Sequence, residues 1–274
     1  MMPEAGTLTA RSAILDAYLK QLKLPTIARS YVQVGREARL AEKSHEEYLL
    51  ALLEAEVGQR EVSRQKLRLS SARFPTVKTL DTFDFAAVPS VGKARVLELA
   101  RGGYISAKEN IILAGGTGAG KTHVAISLGV AGCLQGRRVR FIGATELANR
   151  LLEAHAENRV NALLALFLRF DLVIVDELGF VPFSSTGSEL LFEFFSAAYE
   201  RQALAVTTNL PFTEWTSVFG NERLTAALLD RLTHRCHILE FQADSFRLRQ
   251  SLRRQTASAE VADRPEAQST GASN

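Results

Sequence analysis

The octapeptide GGTGAGKT at residues 115–122 constrains the fold of this chain more than any other stretch. It directly follows the apolar run 110–114 and opens a segment of helical periodicity, 121–134. Glycines in such a turn let backbone N–H groups surround phosphate oxygens, and the helix adds the positive end of its dipole. The pattern and its setting predict a phosphate-binding strand–loop–helix turn. They favour it over a glycine-rich turn that holds an incidental lysine.

The chemistry of this turn assigns roles to its residues. Lys121 is predicted to reach the β- and γ-phosphates of a nucleotide, and the Thr122 hydroxyl to ligate Mg²⁺. A nucleotide with β- and γ-phosphates and Mg²⁺ are therefore expected at this turn, and the family resemblance described below implies that the nucleotide is ATP. The predicted nucleotide-binding residues are Gly115, Gly116, Thr117, Gly118, Ala119, Gly120, Lys121, Thr122 and His123.

Apolar runs of strand length alternate with helical segments through the rest of this region. Runs that are apolar on both faces and separated by helices favour an α/β fold, with a parallel sheet covered on both sides. The further runs span 138–143, 171–175, 204–209 and 236–241, and the helical segments span 145–169, 187–201 and 222–232.

Two carboxylates, Asp176 and Glu177, end the apolar run 172–175. Ligands of open α/β sheets bind at the carboxyl ends of the strands, so this pair is expected beside the phosphate loop. Asp176 is predicted to join Thr122 in holding Mg²⁺, and Glu177 to polarise the attacking water. The alternative for an isolated pair, a solvated strand end, is disfavoured by the complete phosphate loop upstream.

Asn209 ends the run 204–209, which is the candidate for a strand lying in space between the phosphate-loop strand and the acidic-pair strand. Its amide would then face the γ-phosphate and orient a water. A strand-end cap before Pro211 is the alternative, and spacing alone leaves the two open.

The N-terminal zone has a different sequence pattern, that of helices. Residues 8–73 are predicted to be helical, and the spacing of Tyr48, Leu49, Leu52, Leu53 and Val57 predicts one buried stripe. Ser44 and Glu47 have the spacing of a capping box. The predicted organisation is a helical domain at 1–73, a linker at 74–101, the α/β domain at 102–254 and a disordered tail at 255–274.

The overall composition says little about function, but the distribution of charged residues along the chain is informative. The formal net charge is only +3, but 59–78 holds six basic residues against the single acid Glu61. Such a stretch can neutralise DNA phosphates, but for an isolated run a solvated helix face is the preferred interpretation, and DNA contact is favoured only together with the family resemblance described below. The predicted contacts are Arg60, Arg64, Lys66, Arg68 and Arg73.

Two cysteines, the absence of a secretory signal and the absence of a membrane span predict a cytoplasmic protein.

A second basic cluster lies at 222–237. An exposed arginine beyond the sheet, such as Arg231 or Arg223, would be able to stabilise the γ-phosphate of a neighbouring subunit. For any single arginine the alternative is a solvated helix face.

Four motifs in order carry a family resemblance: GGTGAGKTHVA (115–125), LVIVDELGF (172–180), TTNLPFTEW (207–215) and LLDRLTHRCHILEF (228–241). The chain resembles the IstB-type ATPases, AAA+ helpers of insertion-sequence transposases that are related to the DnaC helicase loaders. The N-terminal zone also resembles that family's helical leader, in the segments LKLPTIARSY (22–31), YLLALLEAEV (48–57) and SSARFPTVKTLDTFDF (70–85). The resemblance implies a P-loop AAA+ fold with a five-stranded parallel sheet. It also implies homo-oligomers on double-stranded DNA, with ATP sites at subunit interfaces and a transposase as partner.

The same resemblance makes Asn209 the sensor-1 residue and Arg231 the arginine finger, with Arg223 second. Glu177, Lys121, Asn209 and Arg231 are then the catalytic set. Arg247 matches a family segment, but no lid domain is evident after residue 241. The function expected is ATP hydrolysis in support of transposition. The alternatives are a helicase loader, a small-molecule P-loop kinase and a nucleotide-gated binding protein that hardly hydrolyses ATP.

Overall fold

A computed structural model describes residues 4–179 and 182–242, with side chains from residue 12 onward. The chain divides into two compact units, with the boundary between Leu67 and Arg68. The predicted tail at 255–274 and Arg247 lie outside the described residues. Among the described residues, no helix has the length and apolar character needed to cross a lipid bilayer.

Three helices make up the first unit: α1 (Glu4–Gln21), α2 (Pro25–Leu40) and α3 (His45–Ala72), the last of which continues past the boundary. The start of α3 confirms the capping box, because the Ser44 N–H donates to Glu47 at 2.7 Å and the Glu47 N–H donates to Ser44 Oγ at 3.1 Å. Leu19, Ile27 and Leu52 form a small buried core.

The prediction of one buried stripe along α3 is wrong for three of its five residues. Leu52 is buried, but Leu49, Leu53 and Val57 are 54%, 44% and 66% exposed. The small core of this unit includes Leu52 and Tyr48 of α3 but none of the other three side chains. Periodicity finds the apolar face of a helix, and the packing partners decide how much of that face is buried.

The second unit is built on a five-stranded sheet in which every pairing is parallel and the order is β2-β3-β4-β1-β5. This confirms the predicted sheet and the position of β4 between β1 and β3. The strands are β1 (Asn110–Gly115), β2 (Val139–Gly143), β3 (Leu172–Leu178), β4 (Ala203–Thr208) and β5 (Cys236–Phe241). The helices are α4 (Lys93–Ala100), α5 (Gly103–Ala107), α6 (Lys121–Leu134), α7 (Ala144–Ala156), α8 (Val160–Phe167), α9 (Ser185–Ala198), α10 (Trp215–Phe219) and α11 (Glu222–Thr233).

Alternate residues of each central strand enter two apolar cores on opposite faces of the sheet. On β3, for example, Val173 and Val175 belong to one core, while Leu172 and Ile174 belong to the other. Burial on both faces explains why these strands are continuous apolar runs.

Residues 74–101, for which the sequence predicts a linker, contain three short 3₁₀ turns followed by α4. Apolar side chains along this segment are buried in the core of the second unit, among them Val88, Val91, Val96 and Leu99. Prolines and glycines interrupt the segment, and no regular period marks these residues as core.

Candidate functional site

The phosphate loop joins β1, which ends at Gly115, to α6, which begins at Lys121. Its backbone passes through positive φ at Gly115 (147°) and Gly120 (98°). A Cβ at Gly115 would lie 2.3 Å from the carbonyl oxygen of Phe241, and one at Gly120 would lie 2.7 Å from the Phe83 ring. Glycine is therefore required at both positions by conformation and by space.

Lys121 is only 8% exposed. Its ammonium donates to the carbonyl oxygens of Gly115 and Gly116, each at 2.7 Å. These two hydrogen bonds hold the positive charge of Lys121 at the glycine-rich turn. The cradle of backbone and ammonium has the chemistry that a phosphate group requires.

Asp176, at the end of β3 and 8% exposed, links the phosphate loop to the neighbouring strand. Its Oδ1 accepts from the Thr122 hydroxyl at 2.9 Å and from the Thr207 hydroxyl at 2.6 Å. Hydroxyl and carboxylate oxygens are the ligand types that Mg²⁺ prefers. The donor set of Thr122 and Asp176 therefore fits the predicted metal.

Thr207 is a site residue that the sequence analysis did not assign. Besides binding Asp176, its oxygen accepts the backbone N–H of Glu177 at 2.8 Å. The one sequence signal for it is a pair of hydroxyl residues, Thr207 and Thr208, at the end of an otherwise apolar strand.

Glu177 has a positive φ of 60°, rare for a residue with a side chain, at the irregular pairing between β3 and β4. Such a conformation costs about 1–3 kcal/mol and persists where the surroundings enforce it, often at functional sites. Here the Thr207 hydroxyl holds the Glu177 backbone. Glu177 and Asn209 line the same cavity from adjacent strands. The structure thus brings together the predicted residues from three separate motifs.

The cavity has a volume of about 370 Å³. One wall is formed by the phosphate loop and the strand ends, and the other by the segment 78–88, which the sequence analysis did not assign to the site. The lining residues of that segment are Lys78, Thr82, Phe83, Asp84, Ala87 and Val88. A partly apolar wall beside a phosphate cradle can accept an aromatic base.

His123, in the first turn of α6, connects the two walls by hydrogen bonds and a ring contact. Its Nε2 lies 3.0 Å from the Thr79 carbonyl oxygen and 3.2 Å from the Thr82 hydroxyl. Its ring meets the Phe83 ring edge to face, with centroids 5.3 Å apart. Burial lowers the pKa of His123; the hydrogen bond to Thr79 raises it and the charge of Lys78 lowers it, and the net change is downward. The neutral imidazole is therefore favoured.

The two candidate arginine fingers differ in their surroundings. Arg231 is half-buried on α11, with its guanidinium 4.8 Å from the centroid of the Phe192 ring and a hydrogen bond of 3.1 Å to the Ala227 carbonyl oxygen. Arg223, in the first turn of α11, is exposed. The cavity walls contain neither residue.

The predicted DNA-contacting residues have unlike environments. Arg60 pairs with Glu56 at 2.9 Å, and Arg64 lies 3.9 Å from Glu61. Arg68 donates to the Cys133 carbonyl oxygen at 3.2 Å. Lys66 and Arg73 are exposed.

Comparison with known proteins gives matches over most of the chain. A family described as IstB-like ATP binding protein matches residues 17–254. The insertion sequence IS5376 ATP-binding protein of Geobacillus stearothermophilus is 35% identical over 236 residues, which cover 86% of this chain and 94% of that protein. The IS21 ATP-binding protein of Pseudomonas aeruginosa is 34% identical, with 86% and 89% covered.

Solved structures show a likeness of fold. AMPPCP-bound DnaA from Aquifex aeolicus aligns with a TM-score of 0.52 at 20% identity, over 70% of this chain and 58% of that one. This chain therefore spans little more than half of that protein. Domain III of the Thermotoga maritima replication initiation protein DnaA aligns with a TM-score of 0.52 at 19% identity, over 69% of this chain and 76% of that one.

Proposed function

The chain belongs to the family of IstB-like ATP-binding proteins, and from that premise we propose that it binds and hydrolyses ATP with Mg²⁺ while assembling on DNA to assist a transposase. The observation that carries the ATPase part is the hydrogen bond of 2.9 Å between Thr122 and Asp176, beside a cavity that Glu177 also lines. A loop that only bound phosphate would not need the two carboxylates.

The phosphate loop and the polar residues at the strand ends divide the chemistry between them in this proposal. The loop N–H groups and Lys121 hold the phosphates, and Thr122 with Asp176 would hold Mg²⁺, whose charge offsets that of the phosphates. Glu177 polarises a water and accepts its proton as the water oxygen attacks the γ-phosphorus, while the bond to the β-phosphate oxygen breaks. Asn209 orients that water. ADP and phosphate are the products.

The wall at 78–88 holds the base of the nucleotide. Phe83 and Val88 offer apolar surface, and Asp84 and Thr82 offer polar groups at its rim. This segment also bonds to His123 through Thr79 and Thr82. The base and the phosphates are then held by two segments that His123 keeps in contact.

Arg231 completes the site of a neighbouring subunit in this proposal. Its place outside the cavity of its own chain supports a role in trans. The ring of Phe192 and the Ala227 carbonyl oxygen hold its guanidinium in a defined position. Arg223 is the second candidate. ATP sites shared between subunits would couple nucleotide binding to assembly on DNA.

The transposase role is favoured over that of a helicase loader because the relatives at 34–35% identity are insertion-sequence proteins. The reading frame beside the gene tests this choice. A transposase gene is expected, and replication genes would favour the loader.

The ATPase proposal is tested with Glu177→Gln, compared with Glu193→Gln, a change at an exposed glutamate on α9. Glu177→Gln is expected to bind ATP as the wild type does and to lower turnover at least about 100-fold, since it removes the base. Glu193→Gln is expected to change neither. Full turnover in Glu177→Gln would contradict the proposed role.

A further inference from the structure

Three arginines from separate elements come together at the edge of the sheet formed by β2. Arg73 follows α3, Arg140 lies on β2 and Arg150 lies on α7. Arg140 donates to the carbonyl oxygen of Ser71 at 3.4 Å, which ties the end of α3 to the strand. We call Arg73, Arg140 and Arg150 the edge cluster.

Packing fixes the position of Arg73 beside the strand. Ala72 before it is fully buried. Phe74 after it meets Phe141 of β2 edge to face, with ring centroids 6.3 Å apart. The backbone of Arg73 itself has a positive φ of 57°. Because both neighbours are anchored, the backbone of Arg73 is held beside β2, and its charge acts on Arg140.

The charges of the edge cluster are poorly balanced. Arg150 pairs with Glu146 at 2.8 Å. Burial lowers the pKa of Arg140, and the charges of Arg73 and Arg150 lower it further, while Glu146 acts in the opposite direction. The positive charges of Arg73 and Arg150 thus both act on Arg140, and the carboxylate of Glu146 offsets part of this repulsion. Such repulsion costs free energy that an anion bound there would recover.

We propose that the edge cluster binds the phosphate backbone of DNA. This inference rests on the proposed assembly on DNA and specifies a surface for it. The planar guanidinium donates two parallel hydrogen bonds to a phosphate, so a group of arginines suits a row of phosphates. Contacts of this kind position the protein without reading sequence.

The other explanation for charge here is protection of an edge strand from pairing with another chain. One charged side chain on the strand itself would serve that purpose. Arg73 comes from the turn after α3 and Arg150 from α7, and both increase the repulsion at Arg140. The convergence of three elements is better explained by a ligand.

The test compares two triple variants of the full chain. The edge variant carries Arg73→Gln, Arg140→Gln and Arg150→Gln. The matched control carries Arg101→Gln, Arg159→Gln and Arg169→Gln, which removes three exposed arginines of the same unit. Binding of a labelled 40-base-pair DNA duplex of random sequence, a length of about 136 Å, is measured with ATP and Mg²⁺ between about 50 and 200 mM salt, the range over which phosphate contacts weaken. ATP affinity of each variant reports on folding.

The edge variant is expected to bind the duplex at least about tenfold more weakly than the control at low salt. Its plot of log affinity against log salt should lose about 2–3 units of slope. Replacing the same three arginines with lysine should keep most of both, because the charge remains. If the edge variant fails to fold, Arg73→Gln alone is expected to lower the slope by about 1.

Several results would overturn the inference. One is an edge variant with wild-type slope. Another is an equal loss in both triple variants, which would indicate a general effect of net charge. A loss of transposase binding with duplex binding intact would assign the cluster to an acidic protein surface. If the wild type itself binds no duplex, assembly on DNA fails, and the failure is then of the proposed function.

Discussion

Glu56 in the first unit and Asp176 in the second are both buried carboxylates, 2% and 8% exposed. Each accepts hydrogen bonds from more than one segment of the chain, and each joins elements that are distant in sequence. They differ in the kind of donor that surrounds them. That difference separates a carboxylate that holds the fold together from one arranged for a ligand.

The donors to Glu56 are groups that a folded helical unit needs to satisfy. The backbone N–H groups of Thr26 and Ile27, in the first turn of α2, donate to it at 2.8 and 3.2 Å. The guanidinium of Arg60 donates at 2.9 Å and also bonds to the carbonyl oxygen of Lys23. Glu56 therefore caps α2 from another helix, with a cation beside it.

The donors to Asp176 are two hydroxyl groups, those of Thr122 and Thr207. A hydroxyl can turn its proton toward a carboxylate and its lone pairs toward a cation. A carboxylate among hydroxyls beside a phosphate loop can exchange these bonds for a metal, whereas Glu56 cannot release its donors without exposing a helix end. The donors thus fit a stabilising role for Glu56 and the proposed Mg²⁺-binding role for Asp176.

The largest effect is expected from removing the ammonium group of Lys121 at the phosphate loop. Lys121→Ala should weaken ATP binding about a thousandfold, or about 4 kcal/mol, because it removes the ammonium that faces the phosphates. Titration with a fluorescent ATP analogue measures this. Lys43→Ala, at an exposed lysine of the first unit, should leave the affinity unchanged. Equal affinities in the two variants would remove the phosphate loop from the site.

The next effect tests the other half of the comparison. Glu56→Ala should lower the free energy of unfolding by about 1–3 kcal/mol, since it removes the acceptor of the Thr26 and Ile27 N–H groups, the second of which is buried. Urea unfolding measures this. Glu54→Ala, at an exposed residue of the same helix, is the control and should change stability by less than about 0.5 kcal/mol. Normal stability in Glu56→Ala would mean that α2 finds other caps.

A smaller effect is expected at the residue that supports Asp176. Thr207→Val keeps the volume of the side chain and removes the hydroxyl that binds Asp176 and the Glu177 N–H. Turnover should fall about tenfold, as for other supporting partners of metal ligands. Steady-state ATPase assays at varied Mg²⁺ measure this. Thr225→Val, a buried threonine that bonds to the Asn221 carbonyl oxygen, is the matched control. If both variants turn over equally, Thr207 has no part in the site.

The two carboxylates also differ in how far the sequence reveals them. Asp176 follows an apolar run and comes after a complete phosphate loop. Because the strands of the second unit are apolar runs and its site residues lie in motifs at their ends, the fold of that unit and most of its site can be predicted. Glu56 lies within a helix whose periodicity predicts a buried apolar stripe, and no local pattern marks it as a cap for α2. Its role depends on which turn of α3 packs against α2.

The same limit explains the other residues that the sequence did not assign. The segment 78–88 becomes a wall of the cavity because it packs beside α6, and nothing in its turns marks it as a nucleotide contact. Thr207 gains its role from the order of the strands, which places β4 next to β3. Motifs predict groups that are close in sequence, whereas these contacts arise from the tertiary arrangement.

The smallest effect is a pH dependence that separates the charge of Glu56 from its packing. Burial raises the pKa of this carboxyl, but the N–H groups of Ile27 and Thr26 and the guanidinium of Arg60 lower it more, so its pKa lies below the ordinary 4.5. A carboxyl with a lowered pKa stabilises the folded state above its unfolded pKa, and that stabilisation is lost as pH falls through the folded pKa. The free energy of unfolding of the wild type should therefore fall more steeply than that of Glu56→Gln as the solution is acidified below about pH 5. Parallel curves would show that shape and hydrogen bonding, with no contribution from charge, hold Glu56 in place, and the contrast with Asp176 would then rest on the donors alone.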